Sequence, residues 1–581
     1  MSASPITVVW QSYRTQTPRR GYWDCEILES IFSQRYWRPV CGHTFVHREY
    51  PEPASQSLTD GGIIVLPARH HATPEYLGYL NLDLGSMAWA VVMLIGDEES
   101  IFDTDAICHL NCREWIMMRR PDRARATNRP LLNGPTPHIH LLDEQPCPTK
   151  SLDWIFAGQA THERRLACVD DLCGISGGKL VASSGFTLGI PPAEYVHDLA
   201  SAKIAPCPSG PRAPDSFRFA EALEAGCVPI ADAHAPIPYP DGYWRSVLGD
   251  NLPFPVIEQW SELSSAMERE LAAWPQNSNR CSAFWLKHKR ELAYSLQRDI
   301  TDLSGQPPQP QFLDDQAQCV IFTSASPAHP STEHIDRVIA SVRFHFPLIE
   351  ILVLCDGVRP ELEHRRGQYS EYLRQLLWKC QRHKSHWNVL PVIFDRHMHQ
   401  AAMMRAALSD SNLIKTPLLL MAEHDTPIVC TGEYCSWNGI TVDTTRPIPW
   451  PVIFELVLSG EANAVRLYHR ADGIPPAHAH LMKEKFEFRG ERFLQTLAWS
   501  QRPHIASTDY YREALSKHFS PQANTFIEDR LMTFVEHSSW DANRVVIYWP
   551  SDGEAMRSWH SDGRADKAGI FDEKFEDKLI F

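Results

Sequence analysis

The sequence predicts an α/β protein: two successive units of parallel sheet with crossover helices, then a further α/β module. Three observations predict it. Short β-branched runs alternate with amphipathic stretches along the whole chain, the pattern of strands joined by crossover helices. The alternation breaks at "DLSGQPPQPQFLDDQAQ" (Asp302 to Gln318), where prolines, glycine and glutamines replace any apolar period and mark a linker. The length, 581 residues, is too great for one core. The expected boundaries are residues 1–148 for a first lobe, 149–301 for a second, 302–317 for the linker and 318–581 for the last module.

In the first lobe "ITVVW" (Ile6–Trp10), "GIIVLP" (Gly62–Pro67) and "WAVVMLIG" (Trp89–Gly96) read as strands, with helix-like segments such as "DCEILESIFSQ" between them. The second lobe opens on "LDWIFAG" (Leu152–Gly158) and runs through "KIAPCPSG", "SFRFAEALEAG", "CVPIAD" and "SELSSAMERELAAW". After the linker come "CVIFTSA", a helix around "TEHIDRVIASVRFHF", "EILVLCDG" and "WNVLPVIF". A helix "MHQAAMMRAALSD" and the apolar run "LLLMAEHD" complete the pattern.

Composition narrows the function. Hydrophobic content of 43% and charged content of 22% suit a soluble globular chain. A net charge of −15 argues against a broad phosphate-binding surface for DNA or RNA, which needs clustered Lys and Arg. The fifteen cysteines lack regular spacing and read as reduced thiols. "CHLNC" (Cys108, His109, Cys112) is the nearest thing to a cysteine metal cluster, but no second pair follows at zinc-ribbon spacing. With no leader-like start and no apolar run of about 18 residues, the expectation is a cytoplasmic enzyme, at most peripheral at a membrane.

Ligands of open α/β sheets sit beyond the carboxyl ends of the strands. In the last module three such ends carry polar chemistry. "CVIFTSAS" ends in Thr323, Ser324 and Ser326, whose hydroxyls can bond a base or a phosphate. "EILVLCDG" ends in Asp356, a carboxylate able to accept from a nucleobase or ribose. "LLLMAEHD" ends in Glu423-His424-Asp425. On an extended chain the two carboxylates share a face, which is costly unless a cation lies between them. Hard oxygen ligands suit Mg²⁺ or Mn²⁺. The plainer alternative is an acidic turn or helix cap.

This order of strand, Asp, helix with Arg405, and strand ending in an acidic triplet resembles the GT-A type of nucleotide-sugar glycosyltransferase. In that family the triplet is Asp-x-Asp, so Asp425 matches as metal ligand and Glu423 departs. The resemblance also implies His560, in "RSWHSDGR", as a further ligand. It implies Thr323, Asp356 and Arg405 as donor-binding residues and Glu528 or Asp529, in "NTFIEDRLMTFV", as the base. Read alone, those two acids equally suit a helix N-terminus. "QRPHIASTDYYREA" (Gln501–Ala514) is rich enough in aromatic and polar groups to line an acceptor sugar site, or to be a packed surface loop.

The most specific stretch is "LASAKIAPCPSGPRAPDSFRFAEALEAGCVPIADAHAPIPY" (Leu199 to Tyr239). A strand ends at Cys207 and opens into "PSG", where the amides of Ser209 and Gly210 can approach an anion. A helix begins near Ser216, so its free amides and dipole favour a diphosphate. Arg218 in its first turn can fork onto phosphate oxygens. Glu221 shares a face with Arg218 and suits ribose hydroxyls. These motifs resemble the exostosin family of glycosyltransferases: Cys207-Pro208-Ser209-Gly210, Ser216-Phe217-Arg218-Phe219-Ala220-Glu221-Ala222 and Gly226-Cys227-Val228-Pro229. Upstream, "WIFAGQATHERRL" resembles the family's Phe-x-Gly strand followed by an Arg, here Arg164 or Arg165. The likeness covers roughly Asp153 to Trp260. It implies a GT-B module in which residues 1–148 form the acceptor lobe, with Arg69-His70-His71 as candidates for contacting the acceptor and His71 as a base.

Exostosins join two transferases in this order. The two resemblances therefore imply a bifunctional enzyme that uses nucleotide-diphosphate sugars and extends a glycan. Mn²⁺ or Mg²⁺ would serve the C-terminal module, and no nucleic acid partner is expected. One alternative keeps a single catalytic module beside a carbohydrate- or nucleotide-binding scaffold, the departure at Glu423 making the C-terminal half the more suspect. Another is a glycosyltransferase that decorates nucleic acid bases, against which the acidic balance argues.

Overall fold

The computed structural model describes residues 6–11, 26–32, 45–50, 59–67, 80–81, 83–96, 111–117, 128–185, 189–210, 213–234, 239, 241–305, 313–326, 328–431, 435–437, 440–442, 446–470, 473–520, 525–550, 556–561 and 570–571. The chain forms two compact units. The first comprises Met1–Gln309 with Leu377–Ser385, and the second Pro310–Leu376 with His386–Phe581. Both are mixed α/β.

The first unit holds two sheets, each wholly parallel. One contains β1 (Ile6–Gln11), β2 (Phe45–Tyr50), β3 (Gly62–Pro67), β4 (Ala90–Ile95), β5 (Cys112–Met117) and β6 (Asn128–Leu131), ordered β2-β1-β3-β4-β5-β6. The other contains β7 (Leu152–Gln159), β8 (Gly178–Ser183), β9 (Ala202–Cys207), β10 (Val228–Asp232) and β11 (Val256–Ile257), ordered β11-β10-β9-β7-β8. Every residue of β4 and of β10 is buried, as parallel strands covered on both faces require.

Local sequence sets the turn that matters most here. The Phe217–Glu224 helix starts after Ser216, whose backbone is extended at φ −145°. It stops at Gly226, whose φ of 67° is the left-handed conformation that favours glycine. The Gly226 amide donates to the Leu223 carbonyl at 3.2 Å and the Cys227 amide to Ala222 at 2.8 Å, so the last carbonyls are satisfied as β10 begins.

A long helix, Gln276–Ser304, touches both sheets of this unit. Its Ser278 hydroxyl donates to Gly226 O at 2.9 Å, and its Asp299 carboxylate accepts from Trp115 Nε1 at 2.9 Å and Arg129 Nε at 2.5 Å. It carries three residues into the stretch read as a linker, because Leu303 is buried. Midway along it, Glu224 accepts from Trp285 Nε1 (2.7 Å) and Lys289 Nζ (2.5 Å), and also from Arg382 Nη2 (2.9 Å) of the Leu377–Ser385 segment. All three charges of that cluster are buried.

The second unit is built on a nine-stranded sheet. Its parallel part is β12 (Ala317–Thr323), β13 (Glu350–Cys355), β14 (Val389–Ile393) and β15 (Leu418–Glu423), whose first two strands are buried throughout. A short hairpin follows: β16 (Cys435–Trp437) and β17 (Ile440–Val442), with β23 (Ile570–Phe571) beside it in a separate sheet. The large sheet then takes in β18 (Ala464–Arg466), β19 (Met482–Phe488), β20 (Glu491–Thr496), β21 (His504–Ser507) and β22 (Val545–Tyr548). Its order is β14-β13-β12-β15-β21-β18-β22-β20-β19. β21 runs antiparallel to both β15 and β18, with His504 opposite Met421 on one side and Arg466 on the other. No described helix is long and apolar enough to cross a membrane.

Candidate functional site

In the first unit the polar residues predicted from sequence gather beyond the ends of β7, β9 and β10, and most are engaged within the protein. Arg218 lies across β7, its Nε 3.2 Å and Nη2 2.6 Å from Ala157 O, with the guanidinium carbon 4.5 Å from the centre of the Phe156 ring. A side chain at Gly158 would collide with that guanidinium, so glycine makes room for it. Glu221 is turned inward: Oε1 accepts from Thr136 Oγ1 at 2.6 Å and from its amide at 3.3 Å, and Oε2 from Tyr195 OH at 2.7 Å. Glu221, expected to meet ribose hydroxyls, thus already accepts three hydrogen bonds within the protein. Burial and the Glu221 charge hold the Tyr195 hydroxyl well above its usual pKa, so it stays a donor.

The "PSG" amides are also committed. Ser209 N donates to Asp232 Oδ2 at 3.1 Å and Gly210 N to Ala213 O at 2.8 Å. Asp232 pairs with Arg164, whose Nε is 3.1 Å away, while Arg165 Nε donates to Ser209 O at 3.3 Å. Ser216 makes no side-chain cap. The buried hydroxyls of Ser209 and Ser216 have no hydrogen-bond partner among the described residues. Burial and Arg165 lower the pKa of His162, on the same end of the sheet.

In the second unit a pocket of about 450 Å³ opens at the carboxyl ends of β15 and β18 and the amino end of β21. Glu423, Arg466 and Arg502 line it from those three strand ends. Arg470, Glu528 and His560 complete its charged wall. The register explains the convergence. Because β21 is reversed, Gln501 and Arg502, just before it, reach the same end of the sheet as Glu423 and Arg466.

Glu423 is held by one amide: Gln400 Nε2 donates to Oε1 at 2.8 Å. Gln400 Oε1 accepts in turn from Gln501 Nε2 at 3.1 Å and from the Ile527 amide at 3.4 Å. Burial, reinforced by the nearby Asp425 charge, pushes the Glu423 carboxyl up to about 7. Asp425 is 1% exposed and lies 3.8 Å from His560 Nδ1. Burial and three arginines, Arg502 foremost, press His469 down to about 2, so it is neutral.

The charged and titratable part of the pocket's lining is two carboxylates, three arginines and three histidines, set among uncharged residues such as Leu481, Trp499 and Ser500. That combination suits a substrate carrying hydroxyls and negative charge. No protein-family model matches the sequence, and no curated protein matches it either. Three solved structures similar to the chain are Staphylococcus aureus TarS 1-349, a mannosyltransferase from Pyrobaculum calidifontis in complex with GDP-Man and Mn²⁺, and a UDP-glucose pyrophosphorylase complexed with UDP-glucose. TarS 1-349 is 12% identical over 43% of this chain and 61% of its own, with a TM-score of 0.25. The mannosyltransferase is 9% identical over 43% and 58%, with a TM-score of 0.25. The pyrophosphorylase is 10% identical over 41% and 91%, with a TM-score of 0.22. The chain thus spans about three-fifths of the length of TarS 1-349.

The acidic triplet departs from its expected geometry. β15 ends at Glu423, and the chain at once enters a turn closed by Thr426 N donating to Glu423 O at 3.1 Å. Two residues in a turn do not share a face as they do on a strand. Glu423 therefore bonds Gln400 while Asp425 lies beside His560. Among the described residues no group of three or more His, Cys, Asp or Glu side chains is placed to hold a metal ion, which corrects the three-ligand set Glu423, Asp425 and His560.

Other expectations also shift. Asp356 accepts from the amides of Gly357 (2.9 Å), Met398 (2.7 Å) and His399 (3.0 Å) and lies 2.7 Å from His397 Nδ1. Both its oxygens thus anchor the start of the His399–Ser409 helix rather than face a nucleoside. Thr323 is buried against Tyr372 OH, 3.1 Å away. Arg405 donates to the carbonyls of Ser520 (2.7 Å) and Phe519 (3.4 Å). Of the acidic pair on the Ile527–Glu536 helix, Glu528 lines the pocket and Asp529 is exposed outside its wall. Arg69, His70, His71, Cys108 and His109 lie outside the described residues. Sequence reading missed Gln400, Arg466 and Arg470. The available signal for the last two was "NAVRLYHR", a short apolar strand whose end carries two arginines and a histidine.

Proposed function

We propose that the protein is a glycosyltransferase acting on nucleotide-diphosphate sugars, with its chemistry in the pocket of the second unit. One observation carries this reading: Glu423, a carboxyl raised to about 7, lines a strand-end pocket beside Glu528 and His560. A group poised near neutrality accepts a proton from an attacking sugar hydroxyl as the bond to the anomeric carbon forms and the nucleoside diphosphate departs. Gln400 orients that carboxyl through its amide. Glu528, lining the same wall, is available to bond an acceptor hydroxyl. Asp425 and His560 would hold a Mn²⁺ or Mg²⁺ ion, which would supply positive charge for a departing diphosphate. The exostosin-like motifs support a GT-B module in the first unit and the acidic strand end a GT-A module in the second, making the enzyme bifunctional.

A second reading, one catalytic module beside a scaffold, draws support from a specific difference. The donor-site candidates Arg218, Glu221, Ser209 N and Gly210 N are all hydrogen-bonded internally in the first unit. On this reading the C-terminal unit is the enzyme. The test is donor hydrolysis and transfer by the full chain over a panel of nucleotide sugars, with and without Mn²⁺. Turnover of two donors, one abolished by Glu423→Gln and the other by Arg218→Ala, is the bifunctional outcome. Turnover of one donor, sensitive only to Glu423→Gln, selects the single-enzyme reading. No turnover of any donor overturns both.

A further inference from the structure

Arg466, the last residue of β18, is 5% exposed, yet it lines the pocket. Its Nη1 donates to Ala498 O at 2.8 Å, and its Nε is buried without a hydrogen-bond partner among the described residues. It makes no ion pair among those residues. A guanidinium stays charged at any working pH, and burying one is costly where, as here, the Glu528 carboxylate acts on it through space without forming an ion pair and Arg502 opposes it. Such a charge persists where an arriving anion meets it. Arg470 and Arg502 line the same pocket, so three arginines border one space of about 450 Å³ in a chain whose net charge is −15.

We infer that Arg466, Arg470 and Arg502 form a subsite for an oxyanion carried on a sugar ring, a carboxylate or a phosphate ester, so that the pocket receives an acidic glycan. This rests on reading the pocket as the acceptor end of a glycosyltransferase. Planar guanidinium forks pair with either oxyanion through two parallel hydrogen bonds. The donor's diphosphate offers the same chemistry, and UDP binding is therefore measured beside the acidic sugars. An acidic acceptor also explains why cations outnumber carboxylates around a catalytic carboxyl. Fixed positive charge draws the acceptor in and holds its ring while a neighbouring hydroxyl faces Glu423.

Calorimetric titration of the full chain with glucuronate, glucose 6-phosphate, glucose and UDP separates the possibilities, using wild type, Arg466→Met and Arg502→Met. The expected result is binding of both acidic sugars at least tenfold tighter than glucose. Arg466→Met then weakens the acidic sugars tenfold or more and leaves UDP unchanged. Equal binding of glucose and glucuronate overturns the inference, as does undiminished binding of acidic sugars by Arg466→Met. Loss of UDP binding with acidic-sugar binding retained assigns the arginines to the donor and overturns it too. If circular dichroism shows Arg466→Met unfolded, Arg502→Met carries the same comparison. Acidic-sugar binding that depends on Arg466, in a protein that transfers no sugar, keeps this subsite and removes the transferase reading instead.

Discussion

The two units place polar residues at the same position, beyond the carboxyl ends of parallel strands, and use them in opposite ways. At the ends of β7, β9 and β10 the carboxylates and amides are spent on neighbours: Glu221 on Thr136 and Tyr195, Asp232 on Arg164 and Ser209. At the ends of β15 and β18 charged side chains line a pocket, Glu423 held by a single amide and Arg466 by one carbonyl. Saturated polar groups stabilise and fix a backbone, whereas groups left facing a pocket retain the capacity to bind. A motif can therefore be complete in sequence and closed in structure.

The largest expected effect tests that contrast directly. Glu423→Gln lowers kcat/KM for sugar transfer by about 10²–10⁴-fold, the range for removing a general base, while the circular dichroism spectrum is unchanged. Glu221→Gln changes kcat/KM for the same donor less than threefold. Equal losses in the two variants, measured by initial rates, would erase the difference between the sites. Next in size is a stability effect within the first unit. Glu224→Ala leaves Lys289 and Arg382 buried without their counter-charge and costs about 3–5 kcal/mol in urea unfolding.

Gly158→Ala forces the Arg218 guanidinium off β7, lowering stability by about 1–3 kcal/mol, the range for overpacking. A crystal structure of the variant should show Arg218 displaced, and an unmoved guanidinium refutes the packing argument. The smallest effect is in pH. A base raised to about 7 is protonated below that value, so kcat/KM falls tenfold per pH unit on the acid side of about pH 7. The linkage to folding has the opposite sign. Glu423 binds its proton more tightly folded than unfolded, so its contribution favours the fold at low pH and declines as pH rises from about 4.3 through about 7. A pH–rate profile whose acid limb breaks near 4 would show that another group is the base.

Much of the fold was legible because parallel strands announce themselves. "GIIVLP", "CVIF" and "ILVLC" are apolar throughout, and strands occupy all three stretches. Gly226 likewise marked the end of its helix, since only a left-handed residue closes that turn. The sites were legible less evenly. The i, i+3 spacing of Arg218 and Glu221 predicts a shared helical face but not what covers it, and the partners Thr136 and Tyr195 come from 85 and 26 residues away. Glu423 and Asp425 were read as strand neighbours because nothing in the triplet shows the strand ending at Glu423, two residues before Asp425. Arg466 escaped notice because β18 has three residues, too few for a period to show.

The reversed strand β21 has an evolutionary consequence. In a purely parallel sheet, each loop at the working edge leaves a strand and leads to a crossover helix, so altering it disturbs the packing that follows. β21 instead receives its loop at that edge and enters the sheet afterwards, its four residues held between β15 and β18. Within Ala498 to Arg502, however, Trp499, Gln501 and Arg502 are buried, and Trp499 packs on His504, Tyr510 and Tyr511. A substitution there that changes what the pocket accepts is therefore also a change in the packing behind it, so the two must be altered together.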